Sequence, residues 1–179
     1  MSWNKSEINQ ELNKHHQEFD VLIDQLAPEV FEDNSAGKWS AGQLQQHIIL
    51  SLKPIVLAMR LPRFLLRYQF GLTNRPSRSY EELVARYLKA LDGRAAVAPK
   101  RFTPKPIGSE VKQQQTIQFN KLINRLMKLV NRWEEDDLDL YVIPHPLMGR
   151  LTYREILYFT IYHVQHHKKQ VDVITKKVK

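Results

Sequence analysis

The chain has 179 residues, which suits one domain spanning residues 1–179, and it contains 0 cysteines, which excludes disulfides, thiolate metal sites and a cysteine nucleophile. It has no run of about 18 apolar residues and no apolar signal region at its N-terminus, so we expect a cytoplasmic protein without a membrane partner. The net charge is +8, and an excess of that same size arises within residues 60–105, which hold 11 basic and 3 acidic residues.

The first predicted helix spans residues 5–26. Its apolar residues recur every three or four positions with charges between them, which is typical of a helix with one buried face. His15 shares the spacing of that face, and we expect it to lie in the core or at its boundary. Residues 27–39 are expected to form a loop.

The second predicted helix begins after Ser40, because Ser40 and Gln43 have the spacing of a capping box. Pro54 lacks the backbone N–H that a helix interior needs, so we expect a kink there. His47 lies two turns into this helix among apolar residues. A histidine at such a position is usually a core residue whose hydrogen bonds are satisfied within the protein, and on this evidence alone we expect that role.

A long connection follows at residues 62–109. It contains one helical piece, which begins at the capping-box pair Ser79 and Glu82. A connection of this length is expected to cross a helical bundle or to cover one end of it. Its basic part, residues 60–105, offers a second hypothesis for function, in which a non-catalytic bundle binds an anionic ligand or a protein partner. No nucleic-acid-binding motif accompanies the charge, so we do not expect a nucleic-acid partner.

Two more helices complete the predicted fold. The third begins near Ser109 and stops at the acidic run 134–137, which is unfavourable at a helix C-terminus. Residues 138–150 are expected to be extended or loop. The last helix follows Thr152, which forms a capping-box pattern with Glu155. We therefore predict an all-α fold, a four-helix bundle with a long, partly helical crossover between helices 2 and 3.

Three histidines interrupt the apolar pattern of the last helix. His163 and His167 are four residues apart, so they lie on one helix face and could share a metal ion. The residue after His163 is Val164, so the zinc-protease motif H-E-x-x-H and its general base are absent. The plain alternative is a polar stripe on a helix surface. His166 is rotated away from this face.

At this point three blocks of the chain, taken in order, resemble the DinB-like (YfiT-like) superfamily of metal-dependent hydrolases and thiol-dependent transferases. The blocks are W-S-x-x-Q-L-x-x-H at 39–47, H-P-x-x-G-x-L-T at 145–152 and H-x-x-x-H-x-x-Q at 163–170. The resemblance implies a four-helix bundle that binds a divalent metal ion, zinc or nickel, through His47, His163 and His167. It also implies a small-molecule substrate, in some members a low-molecular-weight thiol, and homodimers are common in the family.

A metal ion held by three imidazoles keeps an open position for water or substrate and lowers the pKa of a bound water or thiol. Such a site supports hydrolysis, or transfer with a low-molecular-weight thiol cosubstrate, since the chain has no cysteine of its own. We expect further contacts to the ligand rings from Gln43, Thr160 and Gln170, although all three also suit an ordinary polar surface. His145 and His166 are candidates for the pocket. No catalytic residue is assigned.

Overall fold

A computed structural model of the chain describes residues 2–34, 37–92 and 98–177, and of residue 177 it describes the backbone. This part of the chain is mainly helical, and it contains one two-stranded sheet. The elements are α1 (Lys5–Asp24), α2 (Pro28–Glu32), α3 (Ala41–Ala58), α4 (Arg63–Phe70), α5 (Tyr80–Asp92), α6 (Lys112–Arg132), α7 (Asp137–Leu140), β1 (Val142–His145), β2 (Gly149–Thr152) and α8 (Tyr153–Lys177), with 3-10 turns at Lys100–Phe102 and Ser109–Val111.

The all-α class predicted from the sequence is confirmed. The longest helices pack pairwise, α1 against α6 and α8, and α3 against α6 and α8. Their buried faces share one apolar core, in which Trp133, Tyr158 and Phe119 are among the largest fully buried side chains. These pairings are those that a four-helix bundle needs, and the description as a bundle stays a prediction. No described helix is long and apolar enough to cross a membrane.

Before the crossover, the structure differs from the prediction in one element. Residues 27–39 were expected to form a loop, and this is wrong for 28–32, which form α2. Pro28 is the first helical residue, where its missing N–H costs nothing, and the fully buried Phe31 anchors the helix. Five residues are too few to show a helical period. In α3 the helix continues through Pro54 to its end.

The crossover is partly helical, as predicted, but it contains α4 as well as the predicted α5. Only α5 was recognised, because its capping box is visible in the sequence. The structure has this box, with Ser79 N donating to Glu82 Oε2 over 2.8 Å. Helix α5 packs against α8, so the crossover covers one side of the last helix. Residues 93–97 of the basic segment lie outside the described residues.

The segment before α8 is a short helix followed by a hairpin. Strands β1 and β2 pair antiparallel, with His145 opposite Gly149. Gly149 has φ +74°, a conformation that glycine adopts without strain. The expectation of extended or loop structure at 138–150 was therefore wrong only at its start, where α7 reaches Leu140.

A buried carboxylate caps the start of helix α8. Glu155 Oε2 accepts from Thr152 N over 2.9 Å, and Thr152 Oγ1 accepts from Glu155 N over 3.2 Å, so the predicted capping box is present. The same carboxylate, which is 0 % exposed, accepts from Arg75 over 2.7 and 2.9 Å and from Arg78 over 2.9 Å. The start of the crossover is thus held against the first turn of α8.

Candidate metal centre

Two helices that are distant in sequence bring three histidines together. Helix α3 is fixed at its start by the predicted capping box of Ser40 and Gln43, and His47 follows on its second turn. Helix α8 presents His163 and His167 one turn apart. The three residues are 8 %, 5 % and 6 % exposed, so the imidazoles lie inside the protein rather than in a surface stripe.

The three rings converge through the same atom. The Nε2 of His163 lies 3.1 Å from the Nε2 of His47 and 2.9 Å from that of His167. One ligand atom from each residue lies within 4.8 Å of the other two. Ligands of a tetrahedral zinc ion at about 2.0–2.1 Å lie roughly 3.3 Å from one another. The histidine set therefore fits a single small divalent ion after minor ring adjustments.

The far side of two rings is held by oxygen atoms. His47 Nδ1 lies 2.7 Å from the carbonyl oxygen of Phe102, and His167 Nδ1 lies 2.8 Å from Gln170 Oε1. These oxygens only accept, so both Nδ1 atoms carry the proton and both Nε2 atoms keep a lone pair. This is the tautomer in which an imidazole binds a metal through Nε2.

Burial keeps these imidazoles neutral. It lowers the pKa of His47, against the opposing effect of the Phe102 hydrogen bond. Burial, followed by repulsion from the neighbouring histidines, lowers the pKa of His163 well below its ordinary value. For His167, burial and repulsion from His47 lower the pKa to about 3. Neutral imidazoles are the form that binds metal ions, so the site needs no deprotonation at neutral pH.

The three residues that were expected to contact the ligand rings differ in what they contact. Gln170 reaches His167, as described. The side chain of Gln43 accepts from Ser40 N over 3.0 Å and so caps its own helix. The hydroxyl of Thr160 donates to Ile156 O over 2.8 Å, also within its own helix. Among these three, only Gln170 contacts the ring of one of the three central histidines.

Sequence reasoning missed two kinds of contact to the histidines. The carbonyl of Phe102 comes from a 3-10 turn in the crossover, and a backbone acceptor leaves no signal in the sequence. The ring of Phe159 stacks on His163 at 4.7 Å, and Trp39 lies 5.0 Å from His47. Phe159 could have been found, because it lies four residues before His163 on the same face of α8.

The centre opens into a large, mainly apolar cavity of about 1490 Å³. His145 and His166 line it together with the three central histidines, as do Tyr87 and Phe159. Lys38, Arg101 and Lys169 also contribute to its lining, so cations are present at an otherwise apolar site.

Glu155 does not supply a general base to this cavity. Both of its carboxylate oxygens accept hydrogen bonds from Arg75, and one of them also accepts from Thr152 N. The carboxylates that line the cavity within the described residues are Asp33 and Asp92, neither of which belongs to the histidine group.

Comparison with known protein families gives a match over most of the chain. A family model described as "DinB superfamily" matches residues 11–171, which include all three central histidines. No curated protein and no solved structure gives a significant match.

Proposed function

The chain belongs to the DinB superfamily, and from that premise we propose that it is a metal-dependent enzyme that holds one divalent ion, zinc or nickel, through His47, His163 and His167. The observation that carries the proposal is that the Nε2 atoms of three neutral imidazoles lie close together at the wall of a large cavity. Three protein ligands leave an open position for a reactant, which is the pattern of catalytic zinc sites.

Between the two reactions that such a site supports, we favour transfer with a low-molecular-weight thiol over hydrolysis. Pockets for one drug-sized ligand measure roughly 300–1,000 Å³. A cavity of about 1490 Å³ has room for a substrate and a cosubstrate together. The described part of the chain also places no carboxylate among the three histidines to act as general base for water.

In the proposed transfer, the cosubstrate sulfur forms a bond to an electrophilic carbon of the substrate. The bond from that carbon to the leaving group breaks, and the thiol proton passes to the leaving group or to solvent. A bound divalent ion would favour this reaction by lowering the pKa of the thiol. The protein's own contribution is orientation: Phe102 O and Gln170 Oε1 accept from the Nδ1–H of two rings, and the mainly apolar lining can hold the apolar part of a substrate.

Metal content tests the first part of the proposal. We expect elemental analysis of untagged protein to find about one zinc or nickel ion per chain, and none in His163→Ala. His15→Ala is the matched control, because His15 lies on α1 and contacts Glu11 rather than the centre. Absence of metal from the wild-type protein after incubation with zinc and nickel salts would overturn the proposal.

A thiol-consumption assay tests the reaction. Because the chain contains 0 cysteines, a thiol-reactive dye reports only the cosubstrate and gives no protein background. We expect loss of thiol in the presence of an electrophilic substrate with metal-loaded wild-type protein, and none with His163→Ala. Metal binding without thiol loss, together with release of acid from ester or amide substrates, would favour hydrolysis instead.

The second hypothesis, binding of an anionic ligand through residues 60–105, is less well supported. Arg75 and Arg78 of this segment pair with Glu155, and Arg63 pairs with Asp137. Three of the 11 basic residues of the segment therefore have an acidic partner within the described part of the chain. A salt-sensitive interaction that survives His163→Ala would favour this hypothesis.

We also propose, from the family alone, that the chain forms a homodimer. Light scattering after size-exclusion chromatography would measure the mass directly, against 21.1 kDa for one chain.

A further inference from the structure

His145 is held in one tautomer by the turn that follows it. It is the last residue of β1, and its Nδ1 lies 3.2 Å from Leu147 N and 3.3 Å from Met148 N. Backbone N–H groups only donate, so Nδ1 must accept and cannot carry a proton. The proton of the neutral ring is therefore on Nε2.

The Nε2 of His145 has no hydrogen-bond partner among the residues that the structure describes. The ring lines the cavity, and Nε2 is the nitrogen left to face it, because Nδ1 faces the turn. Phe159 lies edge-on to His145 at 4.4 Å and stacks on His163 at 4.7 Å. His145 is thus separated from the metal ligands by a single phenyl ring.

His166, the other histidine in the cavity lining, is different. Its Nε2 lies 3.4 Å from Gln170 Nε2, an amide nitrogen that can donate to it. Its ring also lies 6.1 Å from the ring of Tyr87. The two histidines therefore differ at Nε2. In His166 this nitrogen can accept from the Gln170 amide, whereas in His145 it carries a proton that has no acceptor among the described residues.

Apolar side chains lie next to His145. Ile143, Pro144 and Leu147 are close to it in the chain and line the cavity with it, and Phe159 lies against its ring. His145 is partly exposed, so water can accept from this donor in the absence of a ligand, and a ligand oxygen can take the place of that water. Pockets of this kind use such isolated polar groups to orient their ligands.

We propose that His145 donates a hydrogen bond from Nε2 to an oxygen atom of the substrate, and that the substrate is a largely apolar molecule with a carbonyl or carboxylate group. The assignment as a substrate contact rests on the proposed function of the cavity. The tautomer rests only on the two backbone contacts. His145 would set the orientation of the substrate by holding its oxygen one ring away from the metal ligands.

Proton–nitrogen correlation spectra of the imidazoles test the tautomer in metal-free protein. We expect a histidine with its proton on Nε2 and a bare Nδ1, and we expect that signal to disappear in His145→Asn. A proton on Nδ1 of His145 would overturn the proposal. This measurement does not depend on metal binding, so it separates failure of this inference from failure of the proposed function.

Calorimetric titration tests the contact, with phenylbutyrate as an apolar carboxylate and phenylbutylamine as a matched molecule without an acceptor. His145→Asn is the informative variant, because its Oδ1 can still accept from the two backbone amides while the Nε2–H donor is lost. We expect zinc-loaded wild-type protein to bind phenylbutyrate about tenfold more tightly than His145→Asn does. Phenylbutylamine should show no difference between the two proteins.

His145→Phe completes the set, since it keeps a ring against Phe159 but removes both nitrogens. It should lose phenylbutyrate affinity to the same extent as His145→Asn, with circular dichroism showing that both variants are folded. Equal affinity of wild type and His145→Asn for phenylbutyrate would show that the substrate oxygen does not contact His145.

Discussion

At the scale of single residues, His16 connects the stability of the core with pH. It is 1 % exposed, and its Nδ1 donates to Leu12 O over 2.7 Å. Its Nε2 is buried without a partner among the described residues. Burial, only partly opposed by the Leu12 hydrogen bond, lowers the pKa of His16 to about 3. The folded protein therefore holds this ring neutral where the unfolded chain would protonate it.

The sign of the effect follows from proton binding. The unfolded state takes up a proton near pH 6.5 and the folded state only near pH 3, so the free energy of unfolding falls as the pH is lowered through this window. The slope contributed by His16 is roughly 1.4 kcal/mol per pH unit. We expect His16→Leu to reduce the acid dependence by that amount between about pH 6 and pH 4, measured by urea denaturation. If the free energy of unfolding depends on pH equally in the two proteins, the prediction is contradicted.

His16 also shows what residue spacing can and cannot predict. Leu12 and Phe19 define the buried face of α1, and both His15 and His16 are three or four residues from each of them. Spacing selected His15, and the structure buries His16 while His15 contacts Glu11 at the boundary. Helical periodicity identifies the face, but only the packing of neighbouring helices decides which of two adjacent residues is inside.

At the scale of secondary-structure elements, the contact between α2 and α3 depends on a glycine. A Cβ atom placed on Gly42 would lie 2.6 Å from Cε1 of Phe31, well inside van der Waals contact. Alanine is favoured over glycine in a helix by about 1 kcal/mol, so Gly42→Ala would ordinarily stabilise α3. Here we expect the clash to win and the free energy of unfolding to drop by about 1–2 kcal/mol, measured by chemical denaturation.

A double-variant cycle separates the two effects. Phe31→Leu removes the ring from the path of the new methyl group. In that background Gly42→Ala should become neutral or stabilising by up to about 1 kcal/mol. If Gly42→Ala destabilises both backgrounds equally, its cost does not come from Phe31. No sequence pattern predicted this contact, because α2 is too short to show a period.

At the scale of the whole molecule, the crossover is attached through a buried ion pair. Glu155 is fully buried, whereas Arg75 and Arg78 are 31 % and 26 % exposed. Burial raises the pKa of Glu155, but hydrogen bonds from Arg75 and the backbone N–H groups of Arg78 and Thr152 outweigh it, and the pKa is lowered. This stabilisation is present above the ordinary value of 4.5 and is lost as the pH falls below it.

We expect Glu155→Gln to lower the free energy of unfolding by about 2–4 kcal/mol at neutral pH, because two arginines lose a buried partner but can still reach water. Glu82→Gln is the matched control, since Glu82 forms the corresponding capping box of α5 at an exposed position. It should cost less than about 1 kcal/mol. Similar costs for the two variants would mean that the ion pairs add nothing beyond helix capping.

The long-range contacts mark the limit of prediction from sequence. Capping boxes and apolar periods are local, so they gave the starts of α3, α5 and α8. The three central histidines were expected together because short blocks of the chain resemble a family. The pairing of Arg75 with Glu155 and of Phe102 O with His47 joins residues 80 and 55 positions apart. Neither loop carries a periodic pattern, so nothing local indicates which partner it meets.

Metal binding should stabilise the whole fold, since the proposed ligands join α3 to α8 across 116 residues of chain. An ion that binds only the folded state adds about 2.7 kcal/mol at a concentration of 100 times its Kd. For a chain of this size that corresponds to a rise in Tm of roughly 5–10 °C. We expect zinc to produce this rise in metal-free wild type and in His15→Ala, and a chelator to reverse it.

His47→Ala should remove the dependence on zinc, whatever its Tm without metal, because two ligands on a single helix no longer link α8 to α3. Differential scanning calorimetry over a series of zinc concentrations measures this directly. A metal that only adheres to exposed histidines would bind the unfolded chain at least as well and would leave Tm unchanged or lower it. A zinc-dependent rise that persists in His47→Ala would place the ion elsewhere and exclude α3 from the centre.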